Sequence, residues 1–123
     1  MDHQIVIKWL DAPEVQDYPA ARSYLGLIFE QAVAERYAHG LEGAAMTSFK
    51  AKDIFRASGL SLFGVSNSHV DNDRKKISSG NSLSPLLLVR CPAEGKVIVA
   101  DGYHRLCAVY SFDEDALVPC KIV

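Results

Sequence analysis

The stretch Asp101-Gly102-Tyr103-His104-Arg105 sets a carboxylate, an imidazole and a guanidinium around one glycine, directly after the apolar run Lys96-Val97-Ile98-Val99-Ala100. The run reads as a buried strand, and the motif itself reads as a tight turn and the first turn of a helix. A helix N-terminus carries a partial positive charge, so two cations there are unfavourable unless an anion joins them. The same geometry aims free backbone N–H groups outward, which is how many proteins hold phosphate. The chemistry these residues point to is anion binding, with phosphate as the leading candidate.

Each member of the motif has more than one use. Asp101 is suited to cap the helix by accepting backbone N–H bonds, worth about 1 kcal/mol, or to hold a divalent metal beside a bound phosphate. Gly102 permits a tight turn and a close backbone approach. His104 can hydrogen-bond a phosphate or shuttle a proton; the alternative is a structural histidine. Arg105 can grip phosphate through its planar fork; the alternative is an ion pair with Asp113 or Glu114. Asp101 and His104 are the catalytic candidates, and Gly102, His104 and Arg105 the phosphate-binding ones.

The elements that must position this motif are read from periodicity. Residues 86–89, Leu-Leu-Leu-Val after Pro85, form a continuous apolar run with the signature of a buried strand. A turn at 92–95 and a second run at 96–100 make the pair a hairpin. Residues 102–112 read as a helix, 113–115 as an acidic turn, and 117–123 as a last strand in which Pro119 suits an edge or a strand end. Upstream, residues 4–10 read as a strand or extended arm, and a helical pattern starts at Pro19. A second helical stretch covers 30–39, with Gly40 and Gly43 as stops. Residues 47–49 read as a strand or turn, 52–57 as a short helix, 61–68 as a loop and 69–79 as a polar helix. In that last helix Val70 and Ile77 share one face, and Arg74-Lys75-Lys76 reads as a solvated face, with a polyanion contact as the alternative.

With 123 residues, 49% of them hydrophobic and 23% charged, the chain is expected to form a compact core without staples. Net charge is -2 and the isoelectric point about 6.0, which argues against a protein built mainly to hold DNA. The charge is uneven: residues 1–46 carry three Lys/Arg against seven Asp/Glu, and residues 47–123 carry ten against eight. Cys91, Cys107 and Cys120 lack the spacing of a disulfide framework or a zinc site and are expected to be reduced. With no secretory leader and no apolar run near the roughly 18 residues of a membrane span, a cytoplasmic location is expected.

Asp-Gly-Tyr-His-Arg-Leu-Cys-Ala after an apolar strand resembles the signature of the ParB/sulfiredoxin superfamily. ParB proteins carry a Gly-Glu-Arg-Arg version and sulfiredoxins a Gly-Cys-His-Arg version. Archaeal free-serine kinases carry an Asp-Gly-x-His-Arg version, the most similar to this one. The resemblance spans residues 47–123 and implies an α+β fold, a small mixed sheet with helices. Residues 1–46 lie outside it and read as a helical extension packed on that domain. It implies that Gly102, His104 and Arg105 contact nucleotide phosphates. It also sets His69 where sulfiredoxins have a nucleotide-contacting lysine. Tyr103 stands at the place of the sulfiredoxin nucleophilic cysteine, and a phenol cannot do that thiolate chemistry. No helix-turn-helix follows the last strand in this sequence, so the ParB route to specific DNA is not expected.

The motif and the resemblance together leave two functions of different kinds, beside a third option in which Asp-Gly-Tyr-His-Arg is only a structural turn. One is a nucleotide-dependent phosphotransferase or triphosphatase, taking ATP, ADP or CTP with Mg²⁺ at Asp101. Its base would be Glu94 or Asp101, neither singled out by spacing. The other is a non-catalytic module that binds a nucleotide, a phosphorylated small molecule or nucleic acid, with the acidic N-terminal helices serving a protein partner or a homodimer.

Overall fold

β2 (Leu86–Cys91) and β3 (Lys96–Asp101) form an antiparallel hairpin closed by one turn of 3-10 helix at Pro92–Glu94. β4 (Leu117–Ile122) lies beside β2 and runs parallel to it, with Leu86 opposite Cys120. On its other side β4 pairs antiparallel with β1 (Thr47–Lys50), where Thr47 faces the same Cys120. The sheet order is therefore β1-β4-β2-β3. The structure, a computed structural model, describes residues 5–64 and 67–123. Among the described residues, five helices and a mixed four-stranded sheet make the fold α+β.

The unbroken apolar run of β2 has a simple cause: both of its faces are covered. Leu86 and Leu88 point into one core, with Val99, Leu106, Val118 and Cys120. Leu87 and Val89 point into the other, with Ala21, Leu25, Ala34 and Leu41. The first face is covered by α3 (Ala51–Ser58), α4 (Ser68–Ser78) and α5 (Tyr103–Phe112). The second is covered by α1 (Asp17–Ile28) and α2 (Gln31–Gly43). Each fully buried leucine contributes on the order of 2 kcal/mol by leaving water. The α1–α2 pair therefore closes one whole layer of the molecule. A buried lysine ties that layer down. Lys121 of β4 donates to the Glu42 carbonyl at 2.8 Å, near the α2 C-terminus, and its Nζ lies 5.4 Å from the centre of the Tyr18 ring. A cation at a helix C-terminus meets the free carbonyls and the negative end of the dipole.

Several expectations need correction. α1 begins at Asp17 rather than Pro19, because proline is tolerated anywhere in a first turn that lacks N–H partners. Gly40 does not stop α2, which runs on to Gly43. Pro119 sits neither on an edge strand nor at a strand end, since β4 is interior and Pro119 is opposite Ser48. The pairing with β2 begins one residue later, at Cys120, so Pro119 precedes the paired stretch on that side. Among the described residues the N-terminal arm is extended and makes one isolated parallel bridge, Trp9 to Leu83; residue 4 of that stretch lies outside them. So do residues 65 and 66 of the loop, after which Asn67 caps α4 by accepting from the His69 and Val70 N–H groups at 3.0 and 3.3 Å. No described helix is long and apolar enough to cross a membrane.

Candidate functional site

The turn between β3 and α5 is built around Gly102. Its φ is +104°, in the left-handed region that side chains rarely adopt. Space forbids a side chain as well: a β-carbon would lie 2.7 Å from Leu86 Cγ and 2.8 Å from Arg105 Nη2. Gly102, not Asp101, is the N-cap residue of α5, and among the described residues no side chain caps this helix. The first helical hydrogen bond runs from the Leu106 N–H to the Gly102 carbonyl at 2.9 Å. The N–H groups of Tyr103, His104 and Arg105 therefore have no acceptor within the helix.

Asp101 is turned to a different task from capping. Its Oδ2 accepts from Arg105 Nη2 at 2.9 Å, and both side chains are largely buried. The partner of Arg105 is thus Asp101, at i, i+4 spacing, and neither Asp113 nor Glu114. Arg105 Nη2 also lies 3.4 Å from the Pro85 carbonyl, while its buried Nε finds no partner among the described residues. Burial raises the Asp101 carboxyl above the usual carboxylate range, Arg105 opposes that rise, and the adjacent Asp17 carboxyl adds to it. Asp17 was not a sequence candidate. It is 7% exposed, accepts from the Glu14 N–H at 3.0 Å and is hydrogen-bonded by the Ser84 hydroxyl. It reaches this turn from the start of α1, and no local pattern announces the meeting.

A polar cavity of about 290 Å³ lies between α4 and this turn. From the turn it is lined by all five residues, Asp101 to Arg105 in sequence, and from α4 by His69, Asn72, Asp73 and Lys76. Positions 69, 72, 73 and 76 are one helical stripe. His69 and His104 meet there, their ring centres 4.8 Å apart and their planes tilted by 32°. Burial, then His69, lowers the His104 pKa, with Arg105 adding to the fall and Asp73 pulling the other way. Asp73 is raised, mainly by burial, against the nearby cations Lys76 and Arg105. Asn72 and Asp73 escape sequence reasoning because α4 is read from its apolar contacts, Val70 and Ile77, and Lys76 is met there only as part of a basic run; the stripe spacing alone would have found all three.

The remaining candidates divide. The run Arg74-Lys75-Lys76 does not act together: Arg74 stacks 4.2 Å above Phe112 and bonds Ser111, Lys75 pairs with Asp71 at 3.1 Å, and only Lys76 lines the cavity. Glu94 sits in the exposed turn between β2 and β3, away from the polar cavity. Burial and Cys107 push the Tyr103 phenol up to about 12, so it stays protonated. Cys107 is itself raised by burial and is a poor nucleophile. The three cysteines are free. Among the described residues no trio of His, Cys, Asp or Glu is arranged to hold a metal ion. An apolar cavity of about 220 Å³ beneath α3, between Phe49, Ile54, Val97 and Ile122, lacks the convergent basic groups of the turn. Comparison with protein-family models, curated proteins and solved structures finds no match to this chain.

Proposed function

We propose that the cavity between α4 and the 101–105 turn binds the phosphate of a nucleotide or another phosphorylated small molecule. One observation carries the reading: an uncapped helix N-terminus opens into a cavity lined by His69, Lys76, His104 and Arg105. Unpaired N–H groups, a guanidinium, an ammonium and two imidazoles are the donors a phosphate needs. The sequence resemblance to the ParB/sulfiredoxin superfamily supports the same choice of ligand.

Phosphoryl transfer is the activity that fits this inventory best, since it needs positioning and charge neutralisation above all. Asp73, which lines the same cavity as His104, would be the carboxylate that takes a hydroxyl proton. Mg²⁺ carried on the phosphate would neutralise charge there, with Asp101 as its protein ligand. Asp101 must then release Arg105 to the phosphate. The non-catalytic alternative keeps the same ligand and drops the transfer step. Nucleic-acid binding is disfavoured, because the basic run of α4 splits in three directions.

Differential scanning of the chain with ATP, ADP, CTP, GTP and inorganic phosphate, each with and without Mg²⁺, tests the reading. A rise in melting temperature that disappears in Arg105→Ala supports it. No shift with any of these ligands sinks it.

A further inference from the structure

The 102 turn borders two cavities of similar size, the second lined more by apolar groups than the first. The polar one lies on the α4 side. The second, about 300 Å³, lies on the α1 side. Asp101, Gly102, Tyr103 and His104 line both, so four consecutive residues form a shared wall. The rest of the second lining is Ala20 and Tyr24 from α1, Leu60 from the segment after α3, and Val99 and Ala100 from β3. No lysine or arginine is among them. Tyr24 and Leu60 remain 41% and 39% exposed, large apolar groups at the mouth of a cleft. Phe63, 42% exposed, packs at 5.4 Å against Tyr103 and stacks at 18° on His104, extending the apolar rim over the shared wall.

Such a pair of clefts matches the two halves of an organic phosphate. The ester needs cations and N–H donors on one side of its bridging oxygen, and contact with carbon on the other. We propose that the two cavities form one bipartite site. The phosphate sits on the α4 side, and a ring-sized apolar group of the same molecule sits on the α1 side against Tyr24 and Leu60. This rests on the phosphate reading and extends it to the substrate class: phosphate esters that carry a flat ring, attached directly or through a ribose, rather than inorganic phosphate or a sugar phosphate without a ring system of that kind. It also gives α1 a share in the ligand. The helix that completes one core layer presents Ala20 and Tyr24 from its exposed side.

Calorimetric titration of the full chain separates the two levels. The probes are inorganic phosphate, ribose 5-phosphate, phenyl phosphate and adenosine 5′-monophosphate. The last two distinguish a ring bonded directly to the phosphate from one carried on a ribose. One of these two should bind about tenfold more tightly than inorganic phosphate, the effect of stacking one ring on an aromatic side chain and burying it. Ribose 5-phosphate should gain little. Tyr24→Ala should erase the gain and leave inorganic phosphate binding unchanged. Ala20→Trp, which fills the cleft from an exposed position, should do the same. Inorganic phosphate binding that depends on Arg105, with no gain for either ring compound or a gain indifferent to both variants, overturns the bipartite site and leaves the phosphate reading standing. Failure of every probe to bind overturns the bipartite site, and if ATP, ADP, CTP and GTP also give no shift the phosphate reading falls with it.

Discussion

Arg105 Nη2 donates to Asp101 Oδ2 at 2.9 Å, and the glycine between them leaves only 2.8 Å from that nitrogen to where a β-carbon would be. The pair closes the turn from inside, and it also occupies the cation that the proposed ligand needs. Asp101→Asn keeps the shape but weakens the hold on the guanidinium. Phosphate binding should tighten severalfold in this variant, as calorimetry would show, while any Mg²⁺-dependent turnover falls. Asp101→Ala should destabilise the fold by roughly 2 kcal/mol, because it strands a largely buried guanidinium. Unchanged phosphate affinity in Asp101→Asn would mean that Arg105 serves the turn alone.

Gly102→Ala combines a left-handed backbone with overlap on Leu86 Cγ at 2.7 Å. Its cost should be on the order of 3 kcal/mol or more. Gly59 provides the control. It ends α3 with φ +67° and has open space around it, so Gly59→Ala should cost only about 1 kcal/mol, the backbone term by itself. Urea denaturation of the two variants measures the difference.

Adjacent lysines on α4 should behave differently. Lys76 lines the polar cavity, whereas Lys75 pairs with Asp71 on the exposed side. Lys76→Ala should weaken phosphate binding about fivefold to tenfold, the loss of one charged contact. Lys75→Ala should leave it unchanged. Equal effects would indicate a diffuse field rather than a site.

Acid should strengthen anion binding. Burial first, and then His69 and Arg105, hold the His104 pKa below the ordinary histidine value of 6.5, although Asp73 opposes them. Folding therefore disfavours the imidazolium, so the stability contribution is complete above pH 6.5 and is lost as pH falls through the lower folded value. A bound anion reverses the preference, and His104 takes up a proton as the anion binds. Sulfate, whose charge is constant over this range, should bind more tightly at about pH 5.5 than at about pH 7.5, by up to about tenfold for each unit of pKa the anion restores. His104→Gln should flatten most of that slope in a calorimetric titration.

The strand–turn–strand–helix order around the motif was legible because it depends on local signals. An apolar run, a proline turn ending in Gly95, and a glycine before the helix each state their own geometry. Pro119 shows where such signals stop. Its ring argues for an edge in isolation, yet β4 lies inside the sheet because its partner β2 joins only after that residue. Asp101 shows the same limit at the site. An aspartate before a helix is a good cap, but the left-handed φ of Gly102 hands the cap position to the glycine and turns the carboxylate to Arg105. Asp17 could not be foreseen, since only the packing of α1 on the sheet brings it there. The stripe at 69, 72, 73 and 76 was available in the spacing; His69 and Lys76 were met separately, and Asn72 and Asp73 were hidden by reading α4 from its apolar face.

The position of β4 also governs the order in which the molecule can be assembled. It is the last of the four strands along the chain, yet it is the one that joins β1 to the β2–β3 hairpin. Until residues 117–122 are in place, β1 has no partner and β2 has an open margin on one side. The sheet is closed by its final piece, as an arch is by its keystone. A growing chain must carry exposed strand margins until β4 emerges, a state prone to pairing with neighbours. Loss of those six residues would divide the sheet rather than shorten it.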